Sequence, residues 1–165
     1  MALTSIPGVR RAGRRGANLL GLTNRRLQAE YEETRAEAGY DLDDAKVLQL
    51  HWTHLAATDD EAWDEAAPHF RHLLEVYAGW IGEADDPGNR VNNLTIPPVE
   101  ELRSAKPTLF VPVFGAPATV ADQLAAAVAR VRTTHLGLGV LPGMDPARTR
   151  RSLERFASEV APALG

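Results

Sequence analysis

The residues with the clearest chemical potential stand near the start of the chain, where Thr4 and Ser5 precede the turn Ile6-Pro7-Gly8. A hydroxyl group and the free N–H groups of a helix N-terminus together suit a bound anion such as a phosphate. The same hydroxyl can also cap the helix without any ligand, because it accepts a hydrogen bond from one of those N–H groups. The residues alone are compatible with both interpretations.

Histidines are the second group with chemical potential. His51 and His54 lie on a predicted strand and point to opposite faces, so one metal ion cannot bind both. A second pair shares a predicted helix face with acidic residues one turn away: His69, His72, Glu65 and Glu75. Such spacing is usual for solvated helix faces, so we predict no metal site and keep His51 only as a candidate general base.

The composition excludes several other kinds of chemistry. The 165 residues include no cysteine, which removes thiolate nucleophiles, disulfides and cysteine-based metal sites. No Ser-His-Asp order and no glycine-rich nucleotide fingerprint stands out. The formal net charge of -4 argues against nucleic-acid binding. No apolar run reaches the roughly 20 residues that a membrane span requires, and the basic N-terminus lacks a secretory apolar segment. We therefore expect one cytoplasmic domain.

The elements that must position these residues are clearest in the last third of the chain, which reads as helix, strand and helix. Pro117 suits a first helical position, and Asp145 followed by Pro146 suits a helix start. Between the two helices, His135–Leu141 alternates as a strand would. The predicted apolar helix positions are Val120, Leu124, Val128 and Val131 in the first helix and Leu153, Phe156, Val160 and Leu164 in the second.

The same alternation of helices and strands is predicted for the earlier part. The expected elements are a helix over Val9–Arg15, a strand over Ala17–Leu22, a helix from Thr23 or Asn24 to Gly39 with Leu27, Tyr31 and Ala38 buried, a strand over Lys46–Ala56, a helix from the capping box Thr58–Glu61 through Ile81, and a strand over Thr108–Phe114. Alternating strands and helices predict a parallel sheet covered by helices, with four or five strands and five helices.

Two local predictions accompany this assignment. On the strand Lys46–Ala56, the more apolar alternating set is expected to face the helices: Leu48, Leu50, Trp52 and His54. Residues 82–107 have no apolar period and many turn residues. They are predicted to form an irregular insertion, the most mobile internal part of the chain, with one helical turn over Val99–Ser104.

Several short motifs, in order and at matching spacing, resemble the C-terminal half of bacterial luciferase-like flavin monooxygenases. They are F-x-A-P-x-x-V-A-D-Q-L from Phe114, then H-L-G-L, L-P-G-M-D-P and R-S-L-E-x-F-A-x-E-V-x-P-A-L, with S-I-P and A-x-R-x-G-A-N-L-L near the start and L-A-x-T-D-x-E-A from Leu55. One departure is Ala116, which stands where the family usually has a hydroxyl cap. Losing such a cap costs about 1 kcal/mol of helix stability.

The resemblance implies an α/β fold, the C-terminal half of a partial TIM (β/α)8 barrel. A complete barrel needs eight strands and roughly 250 residues. The family holds the phosphate of FMN at the serine and helix start that Ser5, Ile6 and Gly8 match, with Thr4 beside them. Thr4 and Gly8 stand where many relatives have an acidic residue and further hydroxyls, so a weaker phosphate site is expected.

By the same resemblance, the chain would be a flavin-dependent monooxygenase that uses reduced FMN, O₂ and a small organic substrate. The deazaflavin F420 is the alternative cofactor. Since the chain spans about half of the family's fold, an oligomer or a companion half-barrel is expected as partner. The other interpretation is a non-catalytic half-barrel that dimerises and binds flavin weakly or not at all.

Overall fold

The computed structural model describes residues 5–21, 24–83, 95–107 and 109–164. The α-helices in this part are α1 (Ile6–Arg14), α2 (Arg25–Glu37), α3 (Asp59–Glu83), α4 (Pro117–Arg130) and α5 (Pro146–Arg155), and the strands are β1 (Leu19–Leu20), β2 (Val47–Leu55), β3 (Val113–Gly115) and β4 (His135–Gly139). The chain forms two compact units, residues 1–51 with 123–138 and residues 52–122 with 139–165.

Strand β2 is the central strand of the sheet. It pairs in parallel with β1, where Leu19 lies opposite Val47, and in parallel with β3, where Thr53 lies opposite Val113. Strand β4 also pairs with β2. The predicted parallel α/β sheet and the five predicted helices are therefore confirmed for the described part of the chain.

The first unit has its own apolar core between α1, α2 and the start of β2. Tyr31 and Val9 are fully buried there, and the Tyr31 hydroxyl donates to the Ala17 carbonyl oxygen at 2.8 Å. Val47 belongs to the same core, whereas Leu50 is 46% exposed. The predicted inward face of β2 is thus wrong for its first residues.

The second unit has a core built around α3. Its small residues Ala62 and Ala66 are fully buried, and the ring of Phe114 packs edge-on against those of Trp63 and Phe70 at 5.1 and 5.4 Å. The capping box that opens α3 is present, because Glu61 N–H donates to the Thr58 hydroxyl at 3.1 Å. The hydrogen bond to Thr58 confirms the predicted start of this helix.

The predicted strand Thr108–Phe114 is wrong in extent, since β3 contains only Val113–Gly115. Pro112 explains the difference, because proline has no N–H group to donate to a strand ladder. Phe110 packs instead against Tyr77 and Trp52, with ring centroids 4.9 and 6.0 Å apart. Val111 is 62% exposed.

The predicted apolar face of the last helix is also only partly right. Val160 is fully buried, but Leu153 is 41% exposed and its neighbour Ser152 is buried instead. The helix changes to a π turn over Phe156–Val160, and Val160 at the end of this turn is buried as predicted, so the departure lies before the turn, at Leu153. The Ser152 hydroxyl accepts a hydrogen bond from Leu55 N–H at 2.9 Å, so this polar residue completes the end of β2.

The region predicted to be irregular is described only from residue 95 onward. Residues 84–94 lie outside the described ranges, so the expected mobility of the whole insertion stays a prediction. A single 3₁₀ turn covers Val99–Glu101, which matches the predicted helical turn. Of the helices that the structure describes, none combines the length and apolar character needed to cross a membrane.

Helices α1 and α2 approach closely at Gly13. A Cβ atom at this position would lie 2.2 Å from the Thr34 hydroxyl and 2.7 Å from the Tyr31 carbonyl oxygen. The Thr34 hydroxyl is itself fixed, because it donates to the Glu30 carbonyl oxygen at 2.8 Å. The helix pair therefore has no room for a side chain at Gly13.

We predict that Gly13→Ala lowers the free energy of unfolding by about 1–3 kcal/mol, the usual cost of overpacking a tight contact. Urea denaturation is the measurement. Gly79→Ala is the matched control, because an added Cβ there meets no atom within 4 Å. Gly79 lies inside α3, so its substitution should leave stability unchanged or raise it by up to about 1 kcal/mol. Equal effects of the two substitutions would contradict the close approach.

Candidate functional site

Ser5 lies at the N-terminus of α1 and caps it. Its backbone is extended, with φ -128° and ψ 151°, and its hydroxyl oxygen accepts a hydrogen bond from Gly8 N–H at 3.4 Å. That distance is long for a hydrogen bond, so the Gly8 donor is held weakly. Ser5 is exposed, and Ile6 and Gly8 are half-buried. The structure thus brings three of the four predicted phosphate contacts together; Thr4 lies outside the described residues.

The supply of N–H groups at this helix start is smaller than the sequence suggests. Val9 N–H already donates to the Ser5 carbonyl oxygen at 3.0 Å, as the first bond of the helix. Pro7 has no N–H group. The donors that an anion would meet are therefore Ile6 N–H, the weakly held Gly8 N–H and the Ser5 hydroxyl.

The N-terminus of α4 is occupied by a carboxylate from the first residue of α3. Asp59 accepts a hydrogen bond from Ala116 N–H at 2.7 Å and one from the Thr119 hydroxyl at 3.1 Å. A Cβ atom on Gly115 would lie 2.7 Å from the same carboxylate, so the glycine permits this approach. Asp59 replaces the hydroxyl cap that Ala116 lacks, and sequence reasoning missed it because the partner lies 57 residues away.

The other helix starts differ in charge. The first turn of α3 contains Asp59, Asp60 and Glu61, and the carboxylate of Asp145 caps α5 by accepting from Ala147 N–H at 2.7 Å. Asn24 caps α2 through a 3.0 Å bond from Leu27 N–H. Among the five α-helices of the described ranges, only α1 and α2 begin without a carboxylate. A phosphate would meet no negative charge from the first turn or cap of either helix.

The histidines are used in other ways. His54 is 1% exposed, and its Nε2 atom lies 2.8 Å from a Glu65 carboxylate oxygen, whose other oxygen lies 3.3 Å from the Arg148 Nε atom. Glu75 pairs with Arg71 at 2.7 Å. The two acidic residues near His69 and His72 are thus engaged elsewhere. Within the described ranges, no group of three or more histidine, aspartate or glutamate residues could hold a metal ion.

His51, the candidate base, is half-buried on β2. Its Nε2 atom lies 3.2 Å from the Gln49 side-chain oxygen. Burial lowers the pKa of His51 below the usual 6.5, because desolvation disfavours the charged imidazolium. The imidazole is therefore neutral near pH 7, which is the state that a general base requires.

Solved structures of monooxygenases and of F420-dependent enzymes share this fold, which confirms the resemblance at the level of the fold. A type II Baeyer–Villiger monooxygenase, the oxygenating constituent of 3,6-diketocamphane monooxygenase from Pseudomonas putida in complex with FMN, matches with a TM-score of 0.70 and 24% identity over 99% of this chain and 48% of its own. Monooxygenase RslO1 from Streptomyces bottropensis matches with a TM-score of 0.68 and 16% identity, over 99% of this chain and 47% of its own.

A coenzyme F420-dependent tetrahydromethanopterin reductase from Methanopyrus kandleri matches with a TM-score of 0.63 and 16% identity, over 100% of this chain and 50% of its own. The chain thus spans about half the length of these proteins. No protein-family model and no curated protein sequence matches it. At these identities the likeness establishes the fold, an α/β arrangement shared with about half of each of these chains.

We predict that Asp59→Asn destabilises the protein at neutral pH. The Ala116 N–H bond, followed by the Thr119 hydroxyl, holds the pKa of Asp59 below the usual 3.8. A lowered folded-state pKa means that the stabilisation is present above the unfolded-state value and is lost as pH falls through the folded-state value. Urea denaturation at several pH values should therefore show a gap between wild type and Asp59→Asn that is widest near pH 7 and narrows below about 3.8.

Asp122→Asn is the control for this measurement. Asp122 is an exposed residue of α4 and makes no hydrogen bond or ion pair within the part of the chain that the structure describes. Its substitution should change stability little at any pH. A pH-independent gap for Asp59→Asn would show that the carboxylate charge does not stabilise the α4 start.

Proposed function

We propose that this chain is the phosphate-binding half of a luciferase-like, FMN-dependent oxidoreductase. The observation that carries the proposal is the start of α1, an exposed serine cap without any carboxylate, in a chain with the fold of flavin- and F420-dependent enzymes. A phosphate group fits this end because it can accept hydrogen bonds from Ile6 N–H, Gly8 N–H and the Ser5 hydroxyl. A phosphate would release Gly8 N–H from its 3.4 Å contact with Ser5 at small cost.

The proposed reaction is a monooxygenation of a small organic substrate. When bound, reduced FMN supplies the electrons that activate O₂. The role of this chain is to hold the phosphate end and so orient the cofactor. F420 is the alternative cofactor, since two solved structures with this fold are those of F420-dependent enzymes. It also carries a phosphate group that the α1 start could bind.

Catalysis by this chain needs a second half of the site. The solved proteins of this fold are about twice as long as the aligned chain. A bound flavin ring would lack the cavity wall that the further strands provide, and water and O₂ would reach it freely. The chain alone is therefore proposed to bind flavin weakly through its phosphate and not to turn over substrate.

We predict that Ser5→Ala weakens FMN binding by roughly ten- to a hundred-fold, since a hydrogen bond to a charged group contributes about 1.5–3 kcal/mol. A fluorescence titration of FMN measures the affinity, and inorganic phosphate should compete. Ser5→Asp separates the two roles of this residue. Aspartate caps helices well but repels phosphate, so this variant should keep its stability and lose FMN binding.

Asn24→Ala is the matched control, because it removes a helix cap at another place in the same unit. Its FMN affinity should equal that of wild type. If Ser5→Asp binds FMN as wild type does, or phosphate fails to compete, the anchor is not the α1 start. Enzyme-like turnover of an organic substrate by the chain alone would contradict the incomplete site.

A second proposal concerns the partner. Leu20 lies opposite Leu48 in the parallel pairing of β1 and β2, and Leu50 follows on the same face of β2. Leu20 and Leu50 are 38% and 46% exposed. We infer that these three residues, the leucine face, pack against a complementary half-barrel, either a second copy of this chain or a companion chain. An exposed apolar face of this kind supports the expectation that the half-barrel associates with a partner.

We predict that the chain self-associates at micromolar concentration and that Leu50→Lys shifts it toward monomer, because a charge in the apolar contact would be desolvated. Sedimentation velocity measures the change. Leu153→Lys is the matched control, since Leu153 is 41% exposed but lies on α5 of the second unit and is not part of the leucine face. A well-folded 17.9 kDa monomer for wild type, or equal effects of both variants, would count against the self-association.

A further inference from the structure

A cleft of about 450 Å³ lies within the first unit, beside the start of α2 and the end of α4. This volume falls in the range of small-molecule sites, roughly 300–1,000 Å³. The lining residues are Arg25, Gln28, Ala29, Glu32, Val128, Ala129, Arg130, Val131, Arg132 and Thr133. None of them belongs to the phosphate site at α1, so the cleft is independent of the proposed flavin function.

The rim of the cleft carries an excess of positive charge. Three of its residues are arginines and one is a glutamate. Arg132 is held in the wall, since its Nε atom donates to Glu32 at 3.1 Å and its backbone N–H donates to the Gln28 side chain at 2.8 Å. The charge of Glu32 is therefore balanced by that of Arg132 within the wall, and the positive charges of Arg25 and Arg130 remain in excess.

Arg130 is the group best placed to hold a ligand. Its carbonyl oxygen accepts a hydrogen bond from the Arg25 Nε atom at 3.1 Å, which also covers the negative C-terminal end of α4. Its guanidinium makes no hydrogen bond or ion pair with any residue in the described ranges, and the side chain is exposed. Four of the other lining residues are small and apolar, Ala29, Val128, Ala129 and Val131, and one is the polar Thr133.

We propose that this cleft binds a small organic anion, a carboxylate or phosphate monoester with a short apolar body. The guanidinium groups of Arg130 and Arg25 hold the anionic group through charge-assisted hydrogen bonds. The alanine and valine side chains contact the apolar body of the ligand. Inorganic phosphate and fully polar anions have no such body and cannot make this contact. Both features together define the ligand class.

The test is a titration of the full chain followed by two-dimensional ¹H–¹⁵N NMR, with three probes of equal chain length: hexanoate, hexyl phosphate and 1-hexanol. We expect at least one of the two anions to shift the amide signals of Ala29, Ala129 and Val131. The alcohol should bind roughly tenfold more weakly, because it lacks the charge. The stronger anion identifies which acidic group the cleft prefers.

Arg130→Gln and Arg26→Gln form a matched pair of variants. Both residues are exposed arginines of the first unit, but Arg26 does not line the cleft. We expect Arg130→Gln to weaken binding of the preferred anion by roughly tenfold and Arg26→Gln to leave it unchanged. Unshifted spectra outside the cleft confirm that the variants are folded.

Three results would overturn the proposal. They are equal affinities for 1-hexanol and the anions, equal effects of the two arginine variants, and spectra in which no signal of the cleft shifts. Shifts at Ile6 and Gly8 would report an anion at the α1 start, whereas shifts at Ala29, Ala129 and Val131 report the cleft, so these outcomes are separate from the fate of the FMN proposal.

Discussion

The hydrogen-bonding groups of β2 are the constraint on which the described sheet depends. Every other described strand pairs with this one. Buried backbone groups must find partners, and short β3 reaches only the last three residues of β2. Side chains complete the ladder at both ends. The Thr134 hydroxyl accepts from Val47 N–H at 2.7 Å, and the Ser152 hydroxyl accepts from Leu55 N–H at 2.9 Å. The backbone N–H groups at the two ends of this central strand thus donate to hydroxyl groups that lie far away in sequence.

This dependence explains which features the sequence could predict. Local patterns such as the alternation over Lys46–Ala56 and the capping box at Thr58 carry their own signal, and the corresponding elements are present. The role of Ser152 is different, because its polar identity argues for exposure and only the distant Leu55 explains its burial. The shortened β3 was foreseeable from Pro112 alone. The burial of Ser152 in place of Leu153 has no comparable local signal, so the predicted apolar face is wrong at that position.

The candidate site likewise has local features that the sequence predicts and non-local features that it does not. The helix cap at Ser5, before the proline turn, is a local feature of the sequence, and Ser5 caps α1 in the structure. The charge that distinguishes the helix starts is partly non-local, since α4 receives its carboxylate from Asp59, the first residue of α3. At Ala116 the sequence lacks the usual hydroxyl cap, which predicts a less stable helix. In the fold, the charged carboxylate of Asp59 caps the helix instead. The difference in charge between the starts of α1 and α4 is thus visible only in the folded structure, where the Asp59 carboxylate lies beside Ala116.

The close contact between Gly13 and α2 has an evolutionary consequence. A side chain at position 13 would overlap the Thr34 hydroxyl and also the Tyr31 backbone carbonyl oxygen, which lies 2.7 Å from an added Cβ atom. A smaller residue at position 34 would remove only the first of these contacts, because the backbone atom stays whatever the side chain is. Divergent descendants of this chain should therefore keep glycine at position 13 as long as the two helices cross at this point. The crossing of the helices is in this way recorded as a single invariant position, which an alignment would show without any structure.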